Sequence, residues 1–194
     1  MTSLTLTLDP LLSLSDEHFF ALCAQNRDLS FERTAQGELV VMSPAGSDSG
    51  RRNASITGQL WVWSTETGLG EVFDSSSGFI LPNGAIRSPD AAWIAQARWD
   101  ALTPEQKEKF APLCPDFVIE LRSTNDALKP LQTKMQEYLD NGTSLGWLID
   151  PQGQTVEIYR PGKSVELLQS PESLSGESAL PGFVLRLKGI LVSE

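Results

Sequence analysis

The chain has one histidine, His18, and two cysteines, Cys23 and Cys114, in 194 residues. His18 falls in an N-terminal segment with helical spacing, so His-based triads and zinc sites have little to build on. The cysteines lie far apart and form no Cys-x-x-Cys pattern, which argues against a metal or redox motif. No apolar run approaches the roughly eighteen residues of a membrane span. The opening "MTSLTLTLDPLLSLSD" lacks the basic start and small-residue cleavage site of a signal peptide. A cytoplasmic protein with reduced thiols is the expectation. An excess of basic residues is missing too: 15 Lys and Arg stand against 25 Asp and Glu, a formal net charge of −10. That balance weighs against nonspecific coating of nucleic acid, which relies on clustered cations. It leaves room for a local basic cleft, and carboxylates that hold a divalent metal also make a chain acidic.

What is present is an ordinary globular composition without low-complexity tracts or internal repeats, and a length suited to a single domain over residues 1–194. "SLSDEHFFALCAQN" reads as a short helix capped by Ser15, and "LSFERTAQGELVVMSP" as a hairpin turning at Gly37. Residues 49–67 have helical periodicity through Ile56, Leu60 and Trp63, with Gly68 as the stop. "EVFDSSSGFIL" and "SPDAAWI" read as short strands, and "TPEQKEKF" as a capped short helix. A helix follows over "ALKPLQTKMQEYLDNG", with Leu131, Met135, Tyr138 and Leu139 as its buried stripe and Lys134 at the edge. "SLGWLID", "TVEIYR", "SVELL" and "FVLRL" supply further strands. The fold class expected is mixed α/β around a central sheet flanked by helices.

One strand stands out. In "DFVIELRS" the residues Phe117, Ile119 and Leu121 take one face, and Val118, Glu120 and Arg122 the other. A carboxylate and a guanidinium thus interrupt an apolar run. From spacing alone, the commoner arrangement is a half-exposed strand with Glu120 and Arg122 solvated. The alternative is a site, and two Pro-Asp pairs offer it a second carboxylate. Asp116 lies four residues from Glu120 along one strand, about 13 Å at about 3.3 Å per residue, too far to share a metal ion. Asp90, on another strand, has no such limit. Asp90 and Glu120 with Glu32 as a possible third ligand could hold Mg²⁺ or Mn²⁺, and Lys134 could orient a water or steady charge on a phosphoryl group. Paired carboxylates also serve glycoside hydrolysis, but no cluster of exposed aromatics marks a sugar site. "GSDSG" at 46–50 lacks the Lys and Ser/Thr of a phosphate-binding P-loop, and Trp61 and Trp63 lie on a helix that suggests core or interface.

Taken in order, "FERTAQGELVVMSP", "SPDAAWI", "FVIELRS", Lys134 in "QTKMQEYLDNG" and "GWLIDPQGQTVEIYR" resemble the Uma-two family of endonucleases, of the PD-(D/E)xK superfamily. The resemblance covers about Ser15 to Arg160. It implies a restriction-endonuclease-like fold and a Mg²⁺- or Mn²⁺-dependent cut in DNA. Glu32, Asp90 and Glu120 would be the metal-binding acids. The superfamily's lysine two residues after the strand glutamate is Arg122 here, which stays protonated and suits phosphate binding rather than base chemistry. The Uma-two lysine on the next helix is matched by Lys134, and either residue could fill the basic position. Arg51, Arg52, Arg122 and Lys129 are candidate phosphate contacts. "GSDSGRRN" departs from relatives, which often carry a histidine there. A homodimer is expected, since a symmetric pair suits the cutting of two strands. The alternative is an inactive nuclease-fold binding or structural module, favoured by the acidic composition.

Overall fold

The computed structural model describes residues 3–9, 11–42, 44 and 46–191. The chain opens with β1 (Ser3–Leu6) and α1 (Asp16–Gln25), where Ser15 caps by accepting a bond from the His18 N–H. The hairpin of β2 (Ser30–Arg33) and β3 (Leu39–Met42) follows, and Gly37 takes φ 82 in its turn, a conformation that glycine adopts without steric cost. Next comes α2 (Ser47–Thr67), ended by Gly68 in the left-handed region. Then come β4 (Gly70–Asp74), β5 (Phe79–Ile80), β6 (Ile86–Arg87), β7 (Ala91–Ala95), α3 (Gln96–Asp100) and α4 (Pro104–Glu108). The start of α4 is a capping box in which Thr103 and Gln106 exchange bonds. The chain continues with β8 (Phe117–Leu121), α5 (Leu128–Asp140), β9 (Leu145–Asp150), β10 (Thr155–Tyr159), β11 (Glu166–Gln169), β12 (Ser173–Ser175) and β13 (Val184–Arg186). Among the described residues no helix is long and apolar enough to cross a membrane.

The strands form a six-stranded sheet in the order β11-β10-β9-β8-β7-β4, a five-stranded sheet in the order β1-β3-β2-β6-β5, and the pair β12-β13. In the larger sheet β8 and β9 are parallel and the other pairs antiparallel. A parallel pair needs a crossover, and α5 supplies it. The helix therefore lies over the sheet beside β8.

Strand β8 is buried on both faces, so the half-exposed strand that spacing alone suggested is not what forms. Phe117, Ile119 and Leu121 join a core with Ile56, Leu60 and Trp63 of α2 and the C-terminal Leu180 and Phe183. Val118 points the other way, into a core with Met135 and Tyr138 of α5. By the same alternation Ala91 and Trp93 face α2 while Ala92 and Ile94 face α5. Asp90 and Glu120 share the parity of the α5 face. The tryptophan pair divides: Trp63 is buried, whereas Trp61 is 59 % exposed.

Trp147 on β9 is fully buried, stacked on Phe183 at 6.0 Å and edge-on to Phe117 at 4.7 Å. It pins the C-terminal segment to the sheet. Truncating it leaves a large cavity, so Trp147→Ala should lower unfolding free energy by about 3–5 kcal/mol in urea titrations. Trp61→Ala, at an exposed position, should change it by no more than about 0.5 kcal/mol.

Candidate active site

The register of β7 against β8 runs Ala91↔Ile119, Ala92↔Val118, Trp93↔Phe117. One residue further, Asp90 stands opposite Glu120 at the ends of adjacent strands. Asp90 Oδ2 accepts the Leu121 N–H at 2.8 Å, and Oδ1 accepts Asn53 Nδ2 of α2 at 2.7 Å. Glu120 Oε1 accepts the Tyr138 hydroxyl at 3.1 Å and lies 2.7 Å from Lys134 Nζ. Lys134 and Tyr138 are four residues apart on α5, hence on one face.

Glu32 enters from the other sheet. On β2 it shares a face with Ser30 and Thr34, and these line the same cleft as Asp90 and Lys134. Lys134 Nζ is 2.7 Å from Glu32 Oε1, so one ammonium joins Glu32 to Glu120. Glu32 also accepts the Ser88 N–H at 2.9 Å and Arg87 Nη1 at 3.1 Å, and Arg87 Nε donates to Glu137 Oε2 at 2.6 Å. Among the described residues no group of three His, Cys, Asp or Glu side chains converges as a metal cluster. The acids form a facing pair, Asp90 with Glu120, and a third, Glu32, enclosed by cations.

Electrostatics separates these groups. Burial pushes the Glu120 carboxyl up to about 7, a rise that Lys134 opposes and that Asp90 and Glu32 reinforce. Burial also raises Asp90, against the pull of the Leu121 N–H and Lys134. Glu32 is equally enclosed, but Lys134 and Arg87 together outweigh its burial and hold it below the ordinary carboxylate range. For Lys134 burial is outweighed by Glu120 and Glu32, which keep the ammonium protonated well above its ordinary range. Lys134 is thus held in its charged form by the two carboxylates beside it.

The cleft has a volume of about 610 Å³, and its basic lining residues are Arg87 and Lys134. None of Arg51, Arg52, Arg122 and Lys129 lines it among the described residues. Arg51 and Arg52 each pair with Asp48 at 2.9 Å in the first turns of α2. Arg122 bonds Asp150 at 2.7 Å and the Asp126 carbonyl at 3.0 Å, which ties down the loop after β8. Lys129 is exposed and lines a separate surface groove with Gln132 and Tyr159. Arg87, Asn53 and Glu137 were not anticipated from sequence. Arg87 had one available signal, its position three residues before Asp90 in "IRSPD". Glu137 lies three residues after Lys134 on the α5 helix.

A mixed sheet flanked by helices, with acids at adjacent strand ends and a lysine on the crossover helix, defines a restriction-endonuclease-like fold. The crystal structure of a putative nuclease belonging to DUF820 from Anabaena variabilis ATCC 29413 is similar, with a TM-score of 0.70 at 20% identity over 84% of this chain and 89% of that one. Residues 16–188 match the Uma2 family, described as putative restriction endonuclease, and the chain belongs to that family. No curated protein matches.

The raised Glu120 carboxyl has a consequence for stability. Its folded pKa exceeds its unfolded value, so the folded state binds more protons between about pH 4.5 and pH 7. This contribution favours folding at the acid end and is lost as pH rises through 7. In metal-free buffer Glu120→Gln should gain on the wild type by roughly 3 kcal/mol between pH 4.5 and pH 8, read from paired urea titrations.

Proposed function

We propose that this protein is a divalent-metal-dependent endonuclease that hydrolyses DNA phosphodiester bonds. The observation that carries the reading is the facing of Asp90 and Glu120 across adjacent strands, with Lys134 Nζ 2.7 Å from Glu120. The donor set fits a hard cation. It offers two facing carboxylates, both raised in pKa by burial and so favoured by a neighbouring positive charge. Asp90 and Glu120 would hold Mg²⁺ or Mn²⁺ with waters and substrate oxygens completing its shell. Bound there, the ion supplies a water of lowered pKa and a Lewis acid for the phosphoryl group.

The chain's own residues do the rest. Tyr138 and Lys134 orient the Glu120 carboxylate through Oε1. Asn53 and the Leu121 N–H fix Asp90. Lys134, protonated and held from behind by Glu32, stabilises the charge that develops on the phosphoryl oxygens. Glu32 acts in this scheme as the anchor of Lys134, and Arg87 holds Glu32 in turn. Arg122 braces the loop after β8, so the basic role falls to Lys134. Lys129 and Arg51, at the surface, are left as outer contacts for the DNA backbone.

A second reading, an inactive binding module, is favoured by one feature: Glu38, Asp126 and Glu137 also line the cleft of a chain whose net charge is −10. Both are tested by titrating Mg²⁺ and Mn²⁺ calorimetrically into the wild type and variants, and by assaying the same samples on supercoiled plasmid. The wild type should bind metal and nick, with affinity rising between pH 6 and pH 8 as Glu120 loses its proton. Asp90→Ala and Glu120→Ala should lose both properties. Lys134→Met should keep metal binding while nicking falls about 100-fold or more. A wild type that neither binds metal nor nicks supports the module.

A further inference from the structure

The five-stranded sheet ends at β1, and among the described residues β1 is paired on one side only, with β3. Edge strands are ordinarily protected by a charge, a proline or a bulge, because unpaired N–H and C=O groups template another strand. Strand β1 reads Ser-Leu-Thr-Leu, and the first ionisable side chain after it is Asp9. Its leucines stand in water: Leu4 is 61 % exposed and Leu6 40 %. Just beyond, Leu11 is 92 % and Leu12 55 % exposed. Clustered exposed leucines mark an interaction surface.

The two faces of β1 differ. Leu4 and Leu6 pair with Val41 and Leu39, which pack with Phe19 of α1. Thr5 takes the opposite face and lines the cleft with Glu32 and Lys134. The floor of the cleft therefore runs out to the open edge of the sheet.

We infer that β1 pairs antiparallel with β1 of a second copy, about a two-fold axis perpendicular to the sheet and passing midway between the two copies of Thr5. Directly opposed residues of an antiparallel ladder share a face, so a symmetric pair must be centred on a residue. Centring on Thr5 sets Leu4 against the partner's Leu6 and Thr5 against the partner's Thr5. Apolar side chains then meet on one face and threonines on the other, both favourable cross-strand pairs. The sequence of β1 complements itself in this register, and charge permits the pairing: two chains of net charge −10 repel wherever carboxylates meet, the edge carries no ionisable side chain of its own from Ser3 to Leu8, and Glu38 reaches it only through the Thr7 hydroxyl. The pairing rests on the nuclease reading for its consequence: both clefts open on the same side of one continuous sheet, so a duplex across it presents a strand to each.

Light scattering in the micromolar range and directed disulfides test this. The wild type should have about twice the 21.2 kDa chain mass. Leu4→Glu/Leu6→Glu, which alters exposed side chains and should leave the melting transition in place, should have the single mass. In a Cys23→Ser background, Thr5→Cys should form an intermolecular disulfide on oxidation, and Val165→Cys, exposed beside β11 at the far sheet, should not. A wild type of single mass, or a dimer that survives the double substitution, overturns the inference. A dimer lost in the double variant but not trapped by Thr5→Cys overturns the Thr5-centred register. These readouts involve neither metal nor DNA, so their failure leaves the nuclease reading standing, and loss of nicking in Asp90→Ala at unchanged mass leaves the pairing standing.

Discussion

The ammonium of Lys134, 2.7 Å from both Glu32 and Glu120, is the contact at which three parts of the molecule meet. Glu32 comes from the five-stranded sheet, Glu120 from the six-stranded sheet and Lys134 from the helix that crosses between β8 and β9. An unpaired charge in such a position costs several kcal/mol, and a pair repays this only when its geometry and its remaining hydrogen bonds are good. Here those bonds are supplied by Arg87, Ser88 and Tyr138. The two sheets are thereby held in one relative position by charge as well as by apolar packing.

The same contact divides the acids by their electrostatic surroundings. Glu32 has two cations beside it and stays ionised, which makes it a fixed counter-charge. Asp90 and Glu120 share the remaining positive field of Lys134 with Glu32, and burial leaves both above their ordinary pKa. Neighbouring carboxylates with pKa values driven apart by their surroundings are a frequent property of functional sites. The topology puts them there for a simple reason. Strand β8 is covered on both faces, by α2 with the C-terminal strands and by α5, so a carboxylate on it reaches solvent only at the strand's end, where the Asp90 position on the adjacent strand also lies.

Much of this was legible in the chain. Helical periodicity located α2 and α5, the Gly68 stop and the Thr103 capping box were read from residue type, and the hairpin around Gly37 followed from its turn glycine. These features depend on neighbours within a few residues. Strand β1 was missed although "SLTLTL" alternates with period two, because four residues at the N-terminus become a strand only by pairing with β3. The burial of both faces of β8 was missed as well, since Glu120 and Arg122 suggest a wet face until α5 and Asp150 are in place.

The sequence by itself determined which acids and which lysine were candidates, and strand alternation alone put Glu120 on the face away from Phe117, Ile119 and Leu121. Its likeness to a nuclease family selected among the acids. Tertiary structure decided the partnerships: that Asp90 lies across from Glu120, that Glu32 is enclosed by Lys134 and Arg87, and that Arg122 turns to Asp150. The physical reason is range. Side-chain direction is set by local backbone geometry, whereas the pairing of charges 14 to 102 residues apart, from Lys134–Glu120 to Lys134–Glu32, is set by how the strands register and the sheets meet.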